Sequence, residues 1–211
     1  MKFLNITLFN SLMIFLLTVS LFALSAPSFT QDYKVKKVGK AFSHPWGISV
    51  FDNDEVLITE RGGNLFKVNI KTGSRLKISN LPEIFNVRQG GLLDVLVDRE
   101  SVSERNVYIC YSSKVAGGSS TTLMAGTLKE DKLISKKILF KSNNVSESGV
   151  HFGCRLAILD DQIFMSIGDR GNRYEAQDAN SHAGSVIRVN KYDGSTREQK
   201  AYNSWPTEVY T

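Results

Sequence analysis

Short segments in which apolar and polar residues alternate recur along most of the chain, each ended by Gly, Asp or Asn. Alternation with a period of two predicts β-strands, and no helical periodicity of useful length follows residue 26. An edge strand is expected at Val35–Val38. The other predicted strands are His44–Val50, Val56–Thr59, Leu65–Asn69, Gly90–Val97, Asn106–Tyr111, Leu123–Lys129, Arg155–Leu159, Ile163–Ile167 and Ser185–Val189. The pattern therefore predicts an all-β fold.

The strand pattern repeats as a larger unit. Trp46-Gly47, a D-N-D turn, V-L-I-T and E-R-G-G correspond to Phe152-Gly153, a D-D turn, I-F-M-S and G-D-R-G. Each unit spans about 45 to 60 residues, which is typical of the four-stranded blades of a β-propeller. A further unit is expected to begin at Ser185. The sequence therefore predicts three to four propeller blades.

The number of blades bears on how much of a propeller the chain contains. About 185 residues follow Ala26, and a closed six-bladed propeller would need about twice that length. The last residues, Trp205–Thr211, have a strand-like pattern up to the final position. We therefore expect residues 27–211 to be the N-terminal part of a longer propeller. A complete four-bladed propeller is the alternative.

The N-terminus carries a long apolar run, from about Leu4 to Leu24, with Lys2 as its flanking charge. Small residues close the run at Ala23-Leu24-Ser25-Ala26, in the manner of a signal-peptidase site. We expect residues 1–26 to be a secretory signal peptide, which leaves no stable membrane span after cleavage. An uncleaved transmembrane anchor is the alternative, because the run approaches the length that spans a bilayer.

The positive charge of the chain is dispersed. The formal net charge is +5, without a basic stripe interleaved with aromatic residues, which excludes nucleic acid as the partner. The basic residues include Lys34, Lys36, Lys37, Lys136, Lys137 and Lys141. Cys110 and Cys154 lie within the strand-like runs Val107–Tyr111 and Cys154–Leu159. Export would permit a disulfide between them, but nothing in their setting requires one, so we expect buried free thiols.

Candidate chemistry is concentrated between Gly149 and Asn172. His151 precedes one predicted strand, and Asp169 follows the next, in the turn G-D-R-G. A hairpin returns the chain to its start, so Asp169 is expected near His151 although eighteen positions separate them. A histidine held by a carboxylate can act as a general base. An Asp in such a turn is also common without any catalytic role.

Six motifs follow one another from about Phe42 to the C-terminus. They are H-P-W-G-I-S-V, I-T-E-R-G-G-N-L, R-Q-G-G-L-L-D-V, V-H-F-G-C-R-L, I-G-D-R-G-N and A-Q-D-A-N-S-H-A-G-S-V-I-R-V-N. Together they resemble the motifs of the soluble quinoprotein glucose/sorbosone dehydrogenases, and among these most of all the aldose sugar dehydrogenases. The resemblance implies a six-bladed β-propeller that binds pyrroloquinoline quinone (PQQ) and calcium. It implies oxidation of the C1 hydroxyl of an aldose to a lactone, with transfer of the electrons to an external acceptor.

The resemblance also implies roles for individual residues. His151 would be the general base and touch the cofactor, Asp169 would orient His151, and Gln89 would hydrogen-bond the cofactor. It implies structural roles for His44 and His182, and for Arg61 and Arg155 a bracing of turns and blade contacts. Val150 stands where some family members have an acidic residue. The family's G-x-R-N motif, its calcium ligands and its cationic cofactor clamps are expected beyond Thr211, so a chain ending there is expected to be inactive alone.

Two other functions remain open at this stage. A propeller can present its top face to proteins or glycans without any chemistry, and the joint presence of His151, Asp169 and Gln89 favours an enzyme over such a binding module. A calcium-dependent lactone hydrolase on a similar propeller would need clustered Glu, Asn and Asp ligands at strand ends. Such a cluster is not found in order in this sequence.

Overall fold

The computed structural model describes residues 33–101, 105–196 and the backbone of 209–210. The chain divides into two units, Met1–Lys37 and Val38–Thr211. The expected signal peptide, residues 1–26, lies outside the described residues. Residues 33–37 have no regular secondary structure, and the expected edge strand at Val35–Val38 is wrong. Val35 is 98% exposed. The two lysines that follow it leave little apolar surface that a strand could bury against a sheet.

The second unit is all-β, as the alternation predicts, and forms three four-stranded antiparallel sheets. A single 3₁₀ turn, Glu175–Gln177, is the helical element of the described residues. The first sheet contains, in spatial order, β1 (Pro45–Val50), β2 (Glu55–Glu60), β3 (Asn64–Asn69) and β4 (Arg75–Ile78). The second contains β5 (Leu92–Val97), β6 (Asn106–Val115), β7 (Gly118–Lys129) and β8 (Lys132–Lys141). The third contains β9 (Gly153–Leu159), β10 (Gln162–Ile167), β11 (Val186–Asn190) and β12 (Val209–Tyr210).

The segment expected to open a fourth unit belongs instead to the third sheet. β11 pairs antiparallel with β10, with Ile187 opposite Met165 and Val189 opposite Ile163. The loop between β10 and β11 is long. The distance along the chain from β10 to β11 is therefore easily taken for the distance between two repeat units. The described residues therefore form three blades, and the expectation of a new unit at Ser185 is wrong.

Neighbouring sheets meet through their first strands, β1, β5 and β9. The backbone N–H of Val97 in β5 donates to Ser49 Oγ of β1 at 3.0 Å. The N–H of Leu156 in β9 donates to Asp94 Oδ2 of β5 at 2.8 Å. These contacts place the three inner strands side by side, so the residues at their ends face a common region.

Two apolar layers hold the three sheets together. The layer between the first and second sheets includes Leu57, Leu65, Ile78, Leu92, Val95 and Ile109. The layer between the second and third sheets includes Leu93, Tyr108, Leu123, Phe152, Ile163 and Met165. β5 contributes to both layers, because consecutive strand residues point to opposite faces. Each buried leucine or isoleucine side chain contributes about 1.5–3 kcal/mol to folding.

Cys110 of β6 and Cys154 of β9 form a disulfide across the second layer. Both cysteines are fully buried, and their Cα atoms lie 5.6 Å apart. The expectation of free thiols is therefore wrong. The sequence places the two residues in separate strands 44 positions apart, and only the packing of the second sheet on the third brings them within bonding distance.

Within the described part of the chain, no helix is both long enough and apolar enough to cross a membrane.

Candidate active site

The loop before β9 carries His151 in a left-handed backbone conformation, with φ +49°. This conformation is costly for a residue other than glycine, so the surrounding structure must hold it. The carbonyl of His151 accepts the N–H of Arg170 at 3.2 Å, and the carbonyl of Phe152 accepts the N–H of Gly168 at 3.1 Å. A Cβ atom at Gly168 would overlap the carbonyl of His151. The loop after β10 therefore fixes the backbone of the histidine, and glycine is required for this close approach.

Asp169 lies beside His151, as the hairpin predicts. Asp169 Oδ1 is 2.9 Å from His151 Nδ1 and also accepts the backbone N–H of Gly171 at 2.9 Å. The Gly171 N–H, followed by the contact with His151, lowers the pKa of the Asp169 carboxyl below its ordinary value of 3.8. A carboxylate can only accept, so in the neutral imidazole Nδ1 carries the proton and Nε2 presents a lone pair. The His151 side chain is 58% exposed, so this lone pair is within reach of a ligand.

Gln89, from the turn before β5, contacts the same loop twice. Its side-chain Oε1 accepts the backbone N–H of His151 at 2.8 Å, and its backbone N–H donates to the carbonyl of Gly149 at 3.0 Å. The Oε1 contact leaves the Nε2 donors of Gln89 without a hydrogen bond to any described residue. The structure thus brings together the three residues that the sequence selects, His151, Asp169 and Gln89.

His151 and Gln89 border a cavity of about 270 Å³ at the junction of the three sheets, and Asp169 contacts the imidazole of His151 from outside the lining. The cavity is lined by Trp46, Arg61, Gln89, Leu93, His151, Phe152 and Gly153. The first sheet thus supplies an aromatic ring and a cation, the second an amide, and the third the imidazole. No acidic side chain is among the described residues that line the cavity, so its electrostatic character suits an anionic or electron-rich ligand.

Arg155 braces the contact between blades, as the sequence predicts. Its guanidinium Nη1 lies 3.1 and 3.2 Å from the two carboxylate oxygens of Asp94, and the group stands 4.9 Å from the centre of the Trp46 ring. Burial raises the pKa of the Asp94 carboxyl, against the opposing effects of the Leu156 N–H and of Arg155. The backbone of Arg61 also braces a turn, because its N–H donates to His44 and its carbonyl accepts from Leu92, both at 3.0 Å. Its side chain, however, lies on the cavity wall.

The other two histidines lie outside the cavity. His182 is buried, and its Nδ1 accepts the N–H of Asn143 at 3.0 Å while its own N–H donates to Asn143 Oδ1 at 2.9 Å. This reciprocal pair suits the structural role expected of it. His44 is exposed, with Ser43 Oγ 3.3 Å from its Nδ1, and its carbonyl holds the turn at Arg61.

Arg170 is a site residue that the sequence did not single out. Its side chain is buried, at 2% exposure, and the guanidinium stands 3.7 Å from the centre of the Phe152 ring. Nε donates to the carbonyl of Val150 at 2.9 Å, and the two terminal nitrogens donate to the carbonyl and hydroxyl of Ser119 at 2.8 and 2.9 Å. Burial lowers its pKa to about 10. The sequence offers no signal for this role beyond the G-D-R-G motif, because an arginine after a turn usually faces solvent.

The described residues hold no group of three or more His, Cys, Asp or Glu side chains that could bind a metal.

Comparison with known proteins adds an independent finding. The glucose/sorbosone dehydrogenase family model matches residues 42–211. Aldose sugar dehydrogenase YliI of Escherichia coli (strain K12) is 31% identical over 152 residues, which cover 69% of this chain and 41% of that protein. The crystal structure of the soluble aldose sugar dehydrogenase from E. coli in the apo-form aligns with a TM-score of 0.72 at 27% identity, over 80% of this chain and 50% of that one.

The PQQ-bound form of an aldose sugar dehydrogenase from Streptomyces coelicolor shares the fold, with a TM-score of 0.70 at 21% identity, over 83% of this chain and 52% of that one. The chain spans 41% to 47% of the length of the curated relatives that it matches.

Proposed function

The chain belongs to the glucose/sorbosone dehydrogenase family, and on that premise we propose that it carries the proton-accepting part of a sugar dehydrogenase site. The proposed reaction is oxidation of the C1 hydroxyl of an aldose to a lactone, with PQQ as the hydride acceptor. The observation that carries the proposal is the His151–Asp169 contact of 2.9 Å at the cavity that Gln89 also borders. A propeller that only binds proteins or glycans would have no use for an oriented imidazole there.

His151 takes the hydroxyl proton in the proposed reaction. Asp169 holds Nδ1–H, so Nε2 accepts the proton from the C1 hydroxyl while the C1–H bond breaks and its electron pair leaves as hydride. The C1–O bond becomes the carbonyl of the lactone, and the imidazolium is stabilised by the Asp169 carboxylate. A positioned general base of this kind contributes about a hundredfold to ten-thousandfold in rate.

The cavity suits PQQ in chemistry. Gln89 and Arg61 offer hydrogen-bond donors toward an oxygen-rich ligand, and the buried Arg61 Nε has no partner among the described residues. Bound there, PQQ would supply a two-electron acceptor that no amino-acid side chain provides. Calcium remains part of the proposal through the sequence resemblance, with ligands expected beyond Thr211, and no step is assigned to it. The physiological electron acceptor is expected to be external.

We further propose that the protein is exported, to the periplasm or the medium, with residues 1–26 as its signal peptide and 27–211 as its propeller part. The Cys110–Cys154 disulfide supports this location, since disulfides persist in oxidising compartments and are rare in the cytosol.

The test is dye-linked oxidation of a panel of aldoses by the full-length parent protein after reconstitution with PQQ and calcium. His151→Asn is expected to lower turnover by at least about a hundredfold while PQQ binding persists. Asn suits the left-handed backbone at φ +49°.

His44→Asn is the matched control, because His44 has φ +50° and lies outside the cavity. It is expected to retain activity. A folded, PQQ-loaded protein without activity on any aldose would refute the proposed reaction. Near-normal turnover of His151→Asn would refute the role of His151.

A further inference from the structure

The Arg61 side chain is held in place on the cavity wall. Its backbone is hydrogen-bonded on both sides, to His44 and Leu92. The neighbouring Gly91 has φ +149°, and a Cβ atom there would overlap the carbonyl of Arg61 and approach its Cγ to 2.5 Å. Because Gly91 has no side chain, the aliphatic part of the Arg61 side chain can occupy this space.

The Arg61 guanidinium differs from the other two guanidinium groups around the site. Arg155 is neutralised by Asp94, and Arg170 donates to Val150 and Ser119. The Arg61 Nε, by contrast, is buried and makes no hydrogen bond to any described residue. A buried N–H donor without an acceptor is unfavourable, because burial removes water and nothing replaces it. An acceptor supplied by a ligand would remove this penalty.

Two aromatic rings lie on the same cavity wall. Trp46 and Phe152 both line the cavity, and each ring also contacts a guanidinium, Trp46 that of Arg155 and Phe152 that of Arg170. Phe152 is 3% exposed, so the partly exposed ring of Trp46 is the aromatic surface beside the unsatisfied guanidinium. This pair suits a planar ligand that bears a negative group. A carboxylate matches the planar fork of donors that arginine presents.

We propose that Arg61 is a ligand-binding residue, whose guanidinium donates to a carboxylate of a planar aromatic ligand seated between Trp46, Gln89 and His151. PQQ is a planar aromatic tricarboxylate and fits this description. The identification of the ligand as PQQ rests on the proposed function. Arg61 adds a cationic contact from the first blade to the cationic clamps expected beyond Thr211. Arg61 thereby has a second role besides the bracing of its turn.

The test follows the Arg61 Nε–H signal directly by ¹⁵N–¹H NMR of the full chain, with Arg61→Lys used to assign it. The protein is titrated with PQQ, with isophthalate, and with the neutral isophthalamide. We expect PQQ and isophthalate to shift the Arg61 signal and isophthalamide to leave it in place. Arg61→Met is expected to weaken binding of both carboxylates by about tenfold or more, with Arg61→Lys intermediate. Arg99→Met, at an exposed position away from the cavity, is the matched control.

The outcomes separate the two proposals. If isophthalate shifts the Arg61 signal but PQQ does not bind, the carboxylate site stands and the proposed cofactor is wrong. If PQQ binds while the Arg61 signal stays in place and Arg61→Met binds as tightly as the wild type, the role of Arg61 is overturned. Absence of any shift with either carboxylate also overturns it. The wild-type titrations decide the matter even if Arg61→Met does not fold.

Discussion

At the scale of single residues, Asp169 links the charge of the site to its geometry. Its carboxylate accepts from Gly171 and from His151, both at 2.9 Å. Both contacts favour the ionised form, and the pKa of Asp169 is accordingly lowered. The same atom, Oδ1, therefore closes the turn and orients the imidazole.

We predict that the contribution of Asp169 to the free energy of unfolding decreases as the pH falls into the acid range. Because its pKa is lower in the folded state than in the unfolded state, the contribution is complete above the ordinary value of 3.8 and is lost as pH falls through the folded-state pKa. Urea unfolding of the wild type and Asp169→Asn should differ at neutral pH, and the difference should shrink below pH 3.8. Asp169→Asn should also lower turnover by at least about tenfold. A stability difference that stays constant down to the acid limit would contradict this account.

The residues of the site differ in how far the sequence could predict them. Asp169 and His151 sit at the two ends of one hairpin, so local chain geometry brings them together. Gln89 could be placed only through the family resemblance, since its partner lies 62 positions away. The side chains of Arg61 and Arg170 could not be placed, because the direction of a long flexible side chain depends on packing that local pattern does not encode.

At the scale of elements, strands with apolar patterns were predictable, and two strands at the edges of their sheets were not. β5 and β10 are largely buried and show clear apolar patterns. The outermost strands β4 and β8 were missed, because most of their side chains are exposed and many are lysine or arginine. Charged outer strands are a common protection against edge-to-edge association. The pattern of apolar residues therefore identifies the strands that pack against a core.

Arg170 joins elements of two blades, and we predict that this tie stabilises both the fold and the histidine loop. Arg170→Met leaves the carbonyl of Val150 without its donor and takes one of two donors from the carbonyl of Ser119, which also accepts the N–H of Ser146. The loss should cost about 2 to 4 kcal/mol of unfolding free energy. Turnover should fall as well, because Val150 directly precedes His151. Urea unfolding and steady-state kinetics measure the two effects.

Arg170→Lys keeps the charge but loses the fork of donors, so partial recovery is expected. Arg173→Met, at an exposed position, is the control. Unchanged stability in Arg170→Met would show that the buried guanidinium is not a structural tie.

At the scale of the whole molecule, three sheets pack in series and the two outer ones each keep an apolar face in solvent. Ile48 and Val50 of the first sheet are 63% and 46% exposed, and Leu159 and Val186 of the third are 63% and 40% exposed. The order of the sheets follows the order of the chain. The sequence showed the repeat, but it could not separate β11 from a new blade, because strand pairing across a long loop leaves no local pattern.

We predict that the disulfide is a major contributor to stability. Closing a loop between cysteines 44 positions apart is expected to stabilise the fold by about 2 to 4 kcal/mol. The double variant Cys110→Ala and Cys154→Ala should therefore unfold at lower urea concentration than the wild type. A reductant should destabilise the wild type and leave the double variant unchanged. Equal stability of reduced and oxidised wild type, with reduction verified by thiol counting, would contradict this.

The second and third sheets are covalently connected twice, by the backbone and by the disulfide. The backbone from Cys110 to Cys154 and the sulfur bridge together form a closed ring, and the exposed Glu147 lies on it. A single peptide cut at Glu147 would open the ring without releasing a fragment, since the bridge would still hold the two pieces. New chain ends could therefore be placed there, as in a circular permutation, while the neighbouring sheets keep their covalent link.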